Sequence, residues 1–169
     1  MEVKVFVGAV SNPLYGGWVT LPMDGKELKE KIASFGFGER EYEIVDMEVE
    51  TEFHSYLEGY RDVYHLNQIM QRVREYEQNN QLRLLLSAIC YTEGDFEHAF
   101  RLIESGDYFY YEDVYDEKSL GYAIVDSGVF GEIDDYLKGY LDYEAIGRDF
   151  IYEGGRLYPK LKTAFAEVA

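Results

Sequence analysis

Residues 126–150 read DSGVFGEIDDYLKGYLDYEAIGRDF, and this stretch decides how the rest of the chain is interpreted. It holds seven acidic residues against two basic ones, Lys138 and Arg148. Apolar and aromatic residues are interspersed among the acids, whereas a disordered acidic tail would contain few of them. The stretch is therefore predicted to fold and to present its carboxylates at fixed positions.

The same bias extends over the whole chain. Its 169 residues include 33 acidic and 16 basic ones, which gives a net charge of −17. Residues 104–153 hold 14 acids and three bases and account for −11 of that charge. Such a surface repels nucleic acid and anionic membranes and associates quickly with basic partners. Because self-repulsion in this block costs stability, the block favours a binding function over a purely solubilising one.

Cysteine usage and hydropathy bear on the compartment. Cys90 is the single cysteine, and its place in the apolar run LLLSAICY predicts a small buried side chain. One cysteine excludes an internal disulfide and is typical of a reducing compartment. The opening residues MEVKVFVGAV are too short for a signal peptide, and no apolar run approaches the roughly 20 residues of a membrane span. We therefore expect a soluble cytoplasmic protein.

Residues 1–59 are predicted to form a small antiparallel sheet with one helix. The valines of 3–10 predict a strand, SNPLYGG predicts a turn over 11–17, and WVTLP predicts the returning strand. Asp24 stands at the N-cap of a predicted helix in GKELKEKIASF. The alternation in EYEIVDMEVE predicts a third strand over 41–50.

The remaining residues are predicted to form two further units. Residues 60–105 form a central helical bundle, because apolar residues recur there at helical spacing after the N-cap candidate Asp62. Residues 106–169 form a C-terminal α+β unit with an initial strand, a helix capped at Asp113 or Asp116, and one or two short helices. A Gly-Gly turn suggests a strand pair, followed by a weak helix or strand end. The predicted fold class is α+β, with three small units in an elongated chain.

The sequence contains no pattern of a catalytic or metal site. Its histidines, His54, His65 and His98, lack metal-ligand spacing, and neither a GxSxG elbow nor a GxxxxGK loop occurs. A glycosidase carboxylate pair or a divalent-cation site is an alternative role for the acids. However, the acids recur over 40 residues and the DxDxDG pattern is missing. We predict a protein that is not an enzyme and that has no cofactor and no metal.

Binding through the acidic surface is the activity that this leaves. B-form DNA carries one negative charge per roughly 1.7 Å of axis, and a rigid surface with spaced carboxylates presents similar charge to a basic groove. Fixed carboxylates matter because a flexible tail would lose entropy on docking. Mimicry of DNA is one explanation, and a basic protein partner of another kind would select the same composition.

Three stretches of the sequence resemble the ArdA antirestriction proteins of conjugative elements and phages. WVTLPMDGKELKEKI at 18–32 is similar to the family's W-x-x-L/F-P-x-D pattern and the helix after it, and 41–50 resembles the following strand. The most specific stretch is 120–150. It is similar to the antirestriction motif, in which a GEI-x-x-x-L segment leads into Y-x-D-Y-E-A-x-G-R-D. The resemblance covers nearly the whole chain.

The resemblance implies a fold and a function. ArdA proteins are elongated three-unit α+β chains that dimerise through the C-terminal unit, which carries the antirestriction motif, into a long acidic body shaped like bent B-DNA. That body occupies the DNA-binding groove of type I restriction–modification enzymes and protects incoming mobile-element DNA. The resemblance thus implies a homodimer in the cytoplasm of a bacterial host, with no direct binding of nucleic acid or membrane.

Two alternatives to this function are kept. One is an acidic inhibitor of another nucleic-acid-binding defence protein, such as a CRISPR effector, and the other is a module that binds basic proteins. Charge complementarity identifies the sign of a partner and not its identity, so composition does not separate these three functions.

The resemblance also assigns roles to residues of the C-terminal unit. The acids expected to stand in for phosphates are Asp107, Glu112, Asp113, Asp116, Glu117, Asp126, Glu132, Asp134, Asp135, Asp142, Glu144 and Asp149. The apolar residues expected in the dimer interface or in the C-terminal core are Phe130, Ile133, Leu137, Tyr140, Tyr143 and Ile146. Arg148 is surrounded by acids and is interpreted as a structural ion-pair partner rather than a direct contact of the target.

Overall fold

The fold consists of two compact units, Met1–Leu82 and Arg83–Ala169. The structure is a computed structural model, and it describes residues 1–49 and 53–168. Each unit contains one three-stranded antiparallel sheet together with helices. The predicted α+β class is therefore confirmed.

The sheet of the first unit has β1 (Val3–Ala9) at its centre, between β2 (Asn12–Leu21) and β3 (Tyr42–Glu48). The predicted hairpin and third strand are confirmed. The turn predicted over 11–17 is wrong in extent, because β2 already pairs from Asn12, opposite Ala9. Pro13 is compatible with this early start because β2 is an edge strand.

The helices of the first unit are α1 (Gly25–Ala33), α2 (His54–Leu57) and α3 (Val63–Gln78). The predicted N-caps are confirmed, since the carboxylates of Asp24 and Asp62 accept backbone N–H groups of the first turns of α1 and α3. The buried Asn67 side chain of α3 bonds both the N–H and the carbonyl of Met23, each at 2.9 Å. These bonds fix α3 against the segment that follows β2.

The second unit contains five helices and three strands. The helices are α4 (Leu82–Tyr91), α5 (Phe96–Ser105), α6 (Glu117–Asp126), α7 (Asp135–Lys138) and α8 (Tyr143–Tyr152). The strands are β4 (Tyr108–Glu112), β5 (Arg156–Tyr158) and β6 (Thr163–Glu167), in the order β4-β6-β5. α5 ends at Gly106, whose φ of 76° is the left-handed conformation that favours glycine. These elements lie where the helical and acidic segments were predicted.

The final segment of the chain has a larger role than its sequence indicated. The prediction of a weak helix or strand end is superseded, because β6 is the central strand of the second sheet. Its residues 163–166 are all buried, and the Phe165 ring stacks on Tyr108 at 5.3 Å. A strand covered on both faces reads as a continuous apolar run without alternation. This is why periodicity did not identify it.

The interior of the second unit contains an apolar cluster and a buried polar contact. Val114, Leu120, Ile124 and Ala164 make one cluster, onto which Ile146 and Phe150 of α8 pack. On the α4 side, the hydroxyls of Ser87 and Thr163 are fully buried and bonded to each other at 2.6 Å. Cys90, near the end of α4, is half-buried rather than fully buried.

The helices predicted as a central bundle fall in both compact units. α3 lies in the first, whereas α5 and nearly all of α4 lie in the second. The division into three units at 1–59, 60–105 and 106–169 stays a prediction. Over residues 1–49 and 53–168, no helix is long and apolar enough to cross a membrane.

Candidate functional site

The twelve candidate acids of the second unit lie almost entirely at its surface. Eleven of them are exposed, and Glu117 is half-buried. They are distributed over β4, α6, the 126–135 loop, α7 and α8 and over the residues that flank these elements. The unit as a whole carries 18 acidic and eight basic residues, a net charge of −10. The second unit therefore presents most of these carboxylates to solvent, on its helices and strands or beside them.

Seven of these acids have a partner within the unit. Glu112 accepts a bond from the Tyr110 hydroxyl at 2.8 Å, and Asp113 pairs with Arg83 at 3.3 Å. Asp116 and Asp142 accept the backbone N–H groups of Ser119 and Ala145. Arg148 pairs with both Glu117 and Glu144, and Lys138 pairs with Asp135. These partners orient the carboxylates and limit their motion.

Five acids have no hydrogen bond or ion pair from their side chains in the described part of the chain, and all five are exposed. They are Asp107, Asp126, Glu132, Asp134 and Asp149. Their charge is compensated only by solvent, so a basic partner can engage them without breaking an internal contact. Substitution at exposed positions of this kind usually changes stability little.

Two of the partnered acids are helix N-caps. The Asp116 carboxylate accepts the backbone N–H of Ser119 at 2.7 Å, and the Ser119 hydroxyl in turn accepts the backbone N–H of Asp116 at 3.1 Å. This reciprocal capping box begins α6, and Asp142 begins α8 in the simpler form. The helix dipole favours negative charge at both places.

Two groups at this surface have pKa values shifted from their ordinary values, one by hydrogen bonding and the other mainly by burial. The backbone and side-chain bonds from Ser119 hold the pKa of the Asp116 carboxyl below its ordinary value. Burial, and then the bond to Glu112, raise the pKa of the Tyr110 hydroxyl. Asp116 therefore stays ionised to lower pH, and Tyr110 stays a hydrogen-bond donor to Glu112.

Arg148 lies between two of the candidate acids. Its guanidinium is 3.4 Å from the Glu117 carboxylate of α6 and 3.4 Å from the Glu144 carboxylate of its own helix, α8. The interpretation of Arg148 as an ion-pair partner is confirmed. Because the guanidinium presents several donors in a fixed plane, one side chain can hold both carboxylates.

The predicted interface or core residues separate into buried and exposed groups. Ile146 packs on the core, and the half-buried Tyr143 ring stacks on Tyr122. Phe130, Leu137 and Tyr140 are exposed by 57%, 42% and 87%, and Ile133 is half-buried. Leu137 lies in α7, and Ile133 and Tyr140 lie within two residues of its ends; α7 has no buried residue.

An apolar groove adjoins this segment. It has a volume of about 270 Å³ and includes the exposed side chains of Phe109, Val129 and Phe130. The groove is also lined by Ile124 of α6 and by Phe150 of α8, and the carboxylates of Asp149 and Glu153 lie at it as well. Phe109 was absent from the predicted set, since strand alternation alone does not indicate which side of β4 stays uncovered.

Sequence reasoning also missed two glycines. Gly121 of α6 and Gly147 of α8 are buried, and each lies against the backbone of the other helix. A glycine inside a helix usually signals only weakened helix propensity. The signal that could have identified them is that α6 and α8 each contain one glycine, at the fifth residue of the helix.

A metal site needs several histidine, cysteine or acidic side chains that converge on one point. Within 1–49 and 53–168, no group of three or more histidine, cysteine or acidic residues is arranged to hold a metal ion. The acids considered for a divalent cation, Asp134, Asp135, Asp142 and Glu144, therefore form no such group.

The fold and this surface define a class of protein: a small mixed α+β chain with a dense set of exposed carboxylates on its second unit. A model of the family described as antirestriction protein (ArdA) matches residues 11–158. The chain belongs to the ArdA family and is an antirestriction protein, so the resemblance in its sequence is confirmed. No curated protein matches it.

Family membership has two direct consequences. The ArdA family consists of inhibitor proteins and is not an enzyme family. Antirestriction activity indicates restriction enzymes as the targets.

Proposed function

We propose that this ArdA protein inhibits type I restriction–modification enzymes by mimicking DNA. In this proposal the carboxylates of the second unit stand in for phosphates and occupy the basic DNA-binding groove of the enzyme. The observation that supports it most is that eleven of the twelve candidate acids are exposed, on the helices and strands of the second unit or in the segments that flank them. A protein that binds DNA directs Lys and Arg side chains at phosphates, and the same side chains accept carboxylates.

The physical arrangement suits an electrostatic mimic. Seven of the candidate acids are held by internal partners, so they lose little conformational freedom on docking. The other five offer unpaired charge to the target. Binding of two oppositely charged surfaces releases counterions from both, so affinity should fall as the salt concentration rises.

We further propose that the inhibitor acts as a homodimer formed through the second unit. The apolar groove with exposed Phe109, Val129 and Phe130 supports this, since an exposed cluster of large apolar side chains typically marks an interaction surface. Pairing of two chains doubles the number of carboxylates presented to one enzyme. We place the protein in the cytoplasm of a bacterial host, where the target enzymes act on incoming DNA.

The proposal is tested by inhibition assays with a purified type I enzyme. We expect the protein to block DNA cleavage and to be titrated by about one dimer per DNA-binding groove. Methylation is measured in parallel with the methyltransferase core, because a mimic that fills the shared DNA groove should also slow modification. Full cleavage and methylation at a large excess of inhibitor would contradict the proposal and direct attention to another basic target.

A further inference from the structure

The two helices that carry much of the acidic surface, α6 and α8, are in direct backbone contact. A β-carbon added to Gly121 of α6 would be 2.6 Å from the carbonyl carbon of Tyr143, at the start of α8. One added to Gly147 of α8 would be 2.7 Å from the carbonyl carbon of Glu117, at the start of α6. The contact is reciprocal, and it makes the first halves of the two helices antiparallel.

This approach is closer than ordinary helix packing permits. Packed helices are usually separated by 8–10 Å, a distance set by the side chains at the contact. Carbon atoms prefer separations of about 3.5–4.0 Å, and the carbonyl oxygens lie closer still, so a methyl group at either glycine would force the two backbones apart. Glycine is needed at these two positions for space, since the contacted atoms are backbone and cannot rotate away.

Two side-chain contacts span the same crossing. Arg148 holds the Glu117 carboxylate of α6 and the Glu144 carboxylate of α8, each at 3.4 Å. The rings of Tyr122 and Tyr143 stack with centroids 3.8 Å apart and planes inclined by 17°. The Arg148–Glu117 ion pair and the stacked rings join the two helices, so both depend on the short distance that the glycines allow.

The crossing determines the spacing of half of the candidate carboxylates. Six of the twelve belong to these helices or to their N-caps: Asp116, Glu117, Asp126, Asp142, Glu144 and Asp149. Each N-terminal turn, with its capping carboxylate, lies beside the middle of the other helix. A change in the interhelix distance therefore moves two sets of charges relative to each other.

We infer that Gly121, Gly147 and Arg148 are positioning residues, which set the distance between the carboxylates of α6 and those of α8 that the target enzyme engages. The inference rests on the proposed DNA mimicry and adds to it the element that fixes the charge spacing. None of the three residues needs to touch the target.

The sharpest test uses Arg148→Gln, because two accounts of the surface predict opposite results. The substitution makes the protein one unit more negative, so an account based on total charge predicts tighter inhibition. The positioning account predicts weaker inhibition, since Glu117 and Glu144 then repel each other without a shared cation. We expect about a tenfold loss of affinity for the methyltransferase core, as for two or three lost exposed charge contacts.

Gly147→Ala is the second variant, with Gly139→Ala as its matched control. A β-carbon at Gly139 meets no atom within 4 Å, so the control adds the same methyl group in open space, in the segment between α7 and α8. We expect Gly147→Ala to lower affinity about tenfold and to make its salt dependence shallower, with no change for the control. Circular dichroism identifies any unfolded variant, in which case Arg148→Gln decides.

The outcomes separate this inference from the proposed function. If the wild-type protein displaces DNA and Arg148→Gln displaces it equally well or better, the positioning role is wrong while mimicry stands. If the folded Gly147→Ala variant retains wild-type affinity and salt dependence, the result is also against positioning. If the wild-type protein fails to displace DNA at all, the proposed function is wrong and the inference falls with it.

Discussion

The five unpartnered carboxylates allow the charge account to be tested without disturbing the fold. The variant replaces all five with isosteric amides, as D107N, D126N, E132Q, D134N and D149N. All five side chains are exposed, and none makes a hydrogen bond or ion pair in the described part of the chain. The net charge changes from −17 to −12. Because the surface is strongly acidic, the change relieves self-repulsion, and we expect an unchanged or slightly higher Tm.

The size of the effect follows from what exposed ion pairs contribute. Each such pair is worth about 0–1 kcal/mol, so a single substitution should weaken binding only slightly. Five contacts of about 0.5 kcal/mol each sum to about 2.5 kcal/mol, which corresponds to roughly 70-fold in Kd. The plot of log Kd against log salt concentration should also become shallower, by about one unit for each contact removed.

A matched variant of the first unit controls for total charge. It replaces five exposed acids of the first unit, as E2Q, E30Q, E39Q, E41Q and E48Q, and reaches the same net charge of −12. Both variants are titrated against a type I methyltransferase core in a fluorescence binding assay. We expect a much larger loss for the second-unit variant than for the control. Inhibition equal to wild type by the second-unit variant would refute the assignment of these acids to the target contact.

Three further predictions concern single elements of the second unit. The carboxyl of Asp116 should titrate in NMR with a pKa below its ordinary value, so the stability that this N-cap contributes is present above the ordinary pKa and is lost as pH falls through the lowered one. Ser119→Ala should raise that pKa only in part, because the backbone N–H at position 119, the larger cause of the shift, is kept. Ser87→Ala should destabilise the protein by about 1–3 kcal/mol in urea unfolding, because it leaves the buried Thr163 hydroxyl without its partner, and adding Thr163→Val should recover part of the loss. Phe109→Asp should dissociate the proposed dimer, because it places a charge in the apolar groove. Sedimentation measures the mass, and an unchanged dimer mass would exclude the groove as the interface.

Much of the fold could be predicted from local patterns. The valine content identified β1 and the alternation of apolar and acidic residues identified β3. The carboxylates of Asp24 and Asp62 marked the starts of α1 and α3. These signals are local, because a cap bonds to residues two or three positions along the chain. For the same reason the α+β class was accessible without knowledge of any long-range contact.

The missed features depend on residues that are distant in sequence. β6 is buried on both faces by residues that are distant from it in sequence, such as Tyr108. Its short run of buried residues therefore shows no alternation of polar and apolar side chains. The turn over 11–17 was over-extended because proline and paired glycines are also tolerated in an edge strand.

The sequence predicted which residues belong to the site but not how they contact one another. The sequence indicated which acids belong to the acidic unit, and it indicated that Arg148 is paired. It could not show which acids are held by partners, since Arg83 and Asp113 are 30 residues apart. Nor could it show that Gly121 and Gly147 meet the opposite helix, because only the packed structure brings those backbones together.

Competition with DNA tests the central claim most directly. The purified protein is titrated into a type I methyltransferase core bound to labelled cognate DNA, at a low and a high salt concentration. The account predicts displacement of the DNA at near-stoichiometric dimer, with weaker displacement as salt rises, because protein and DNA share one basic groove. Absence of displacement at high excess, or formation of a ternary complex that retains the DNA, would contradict mimicry.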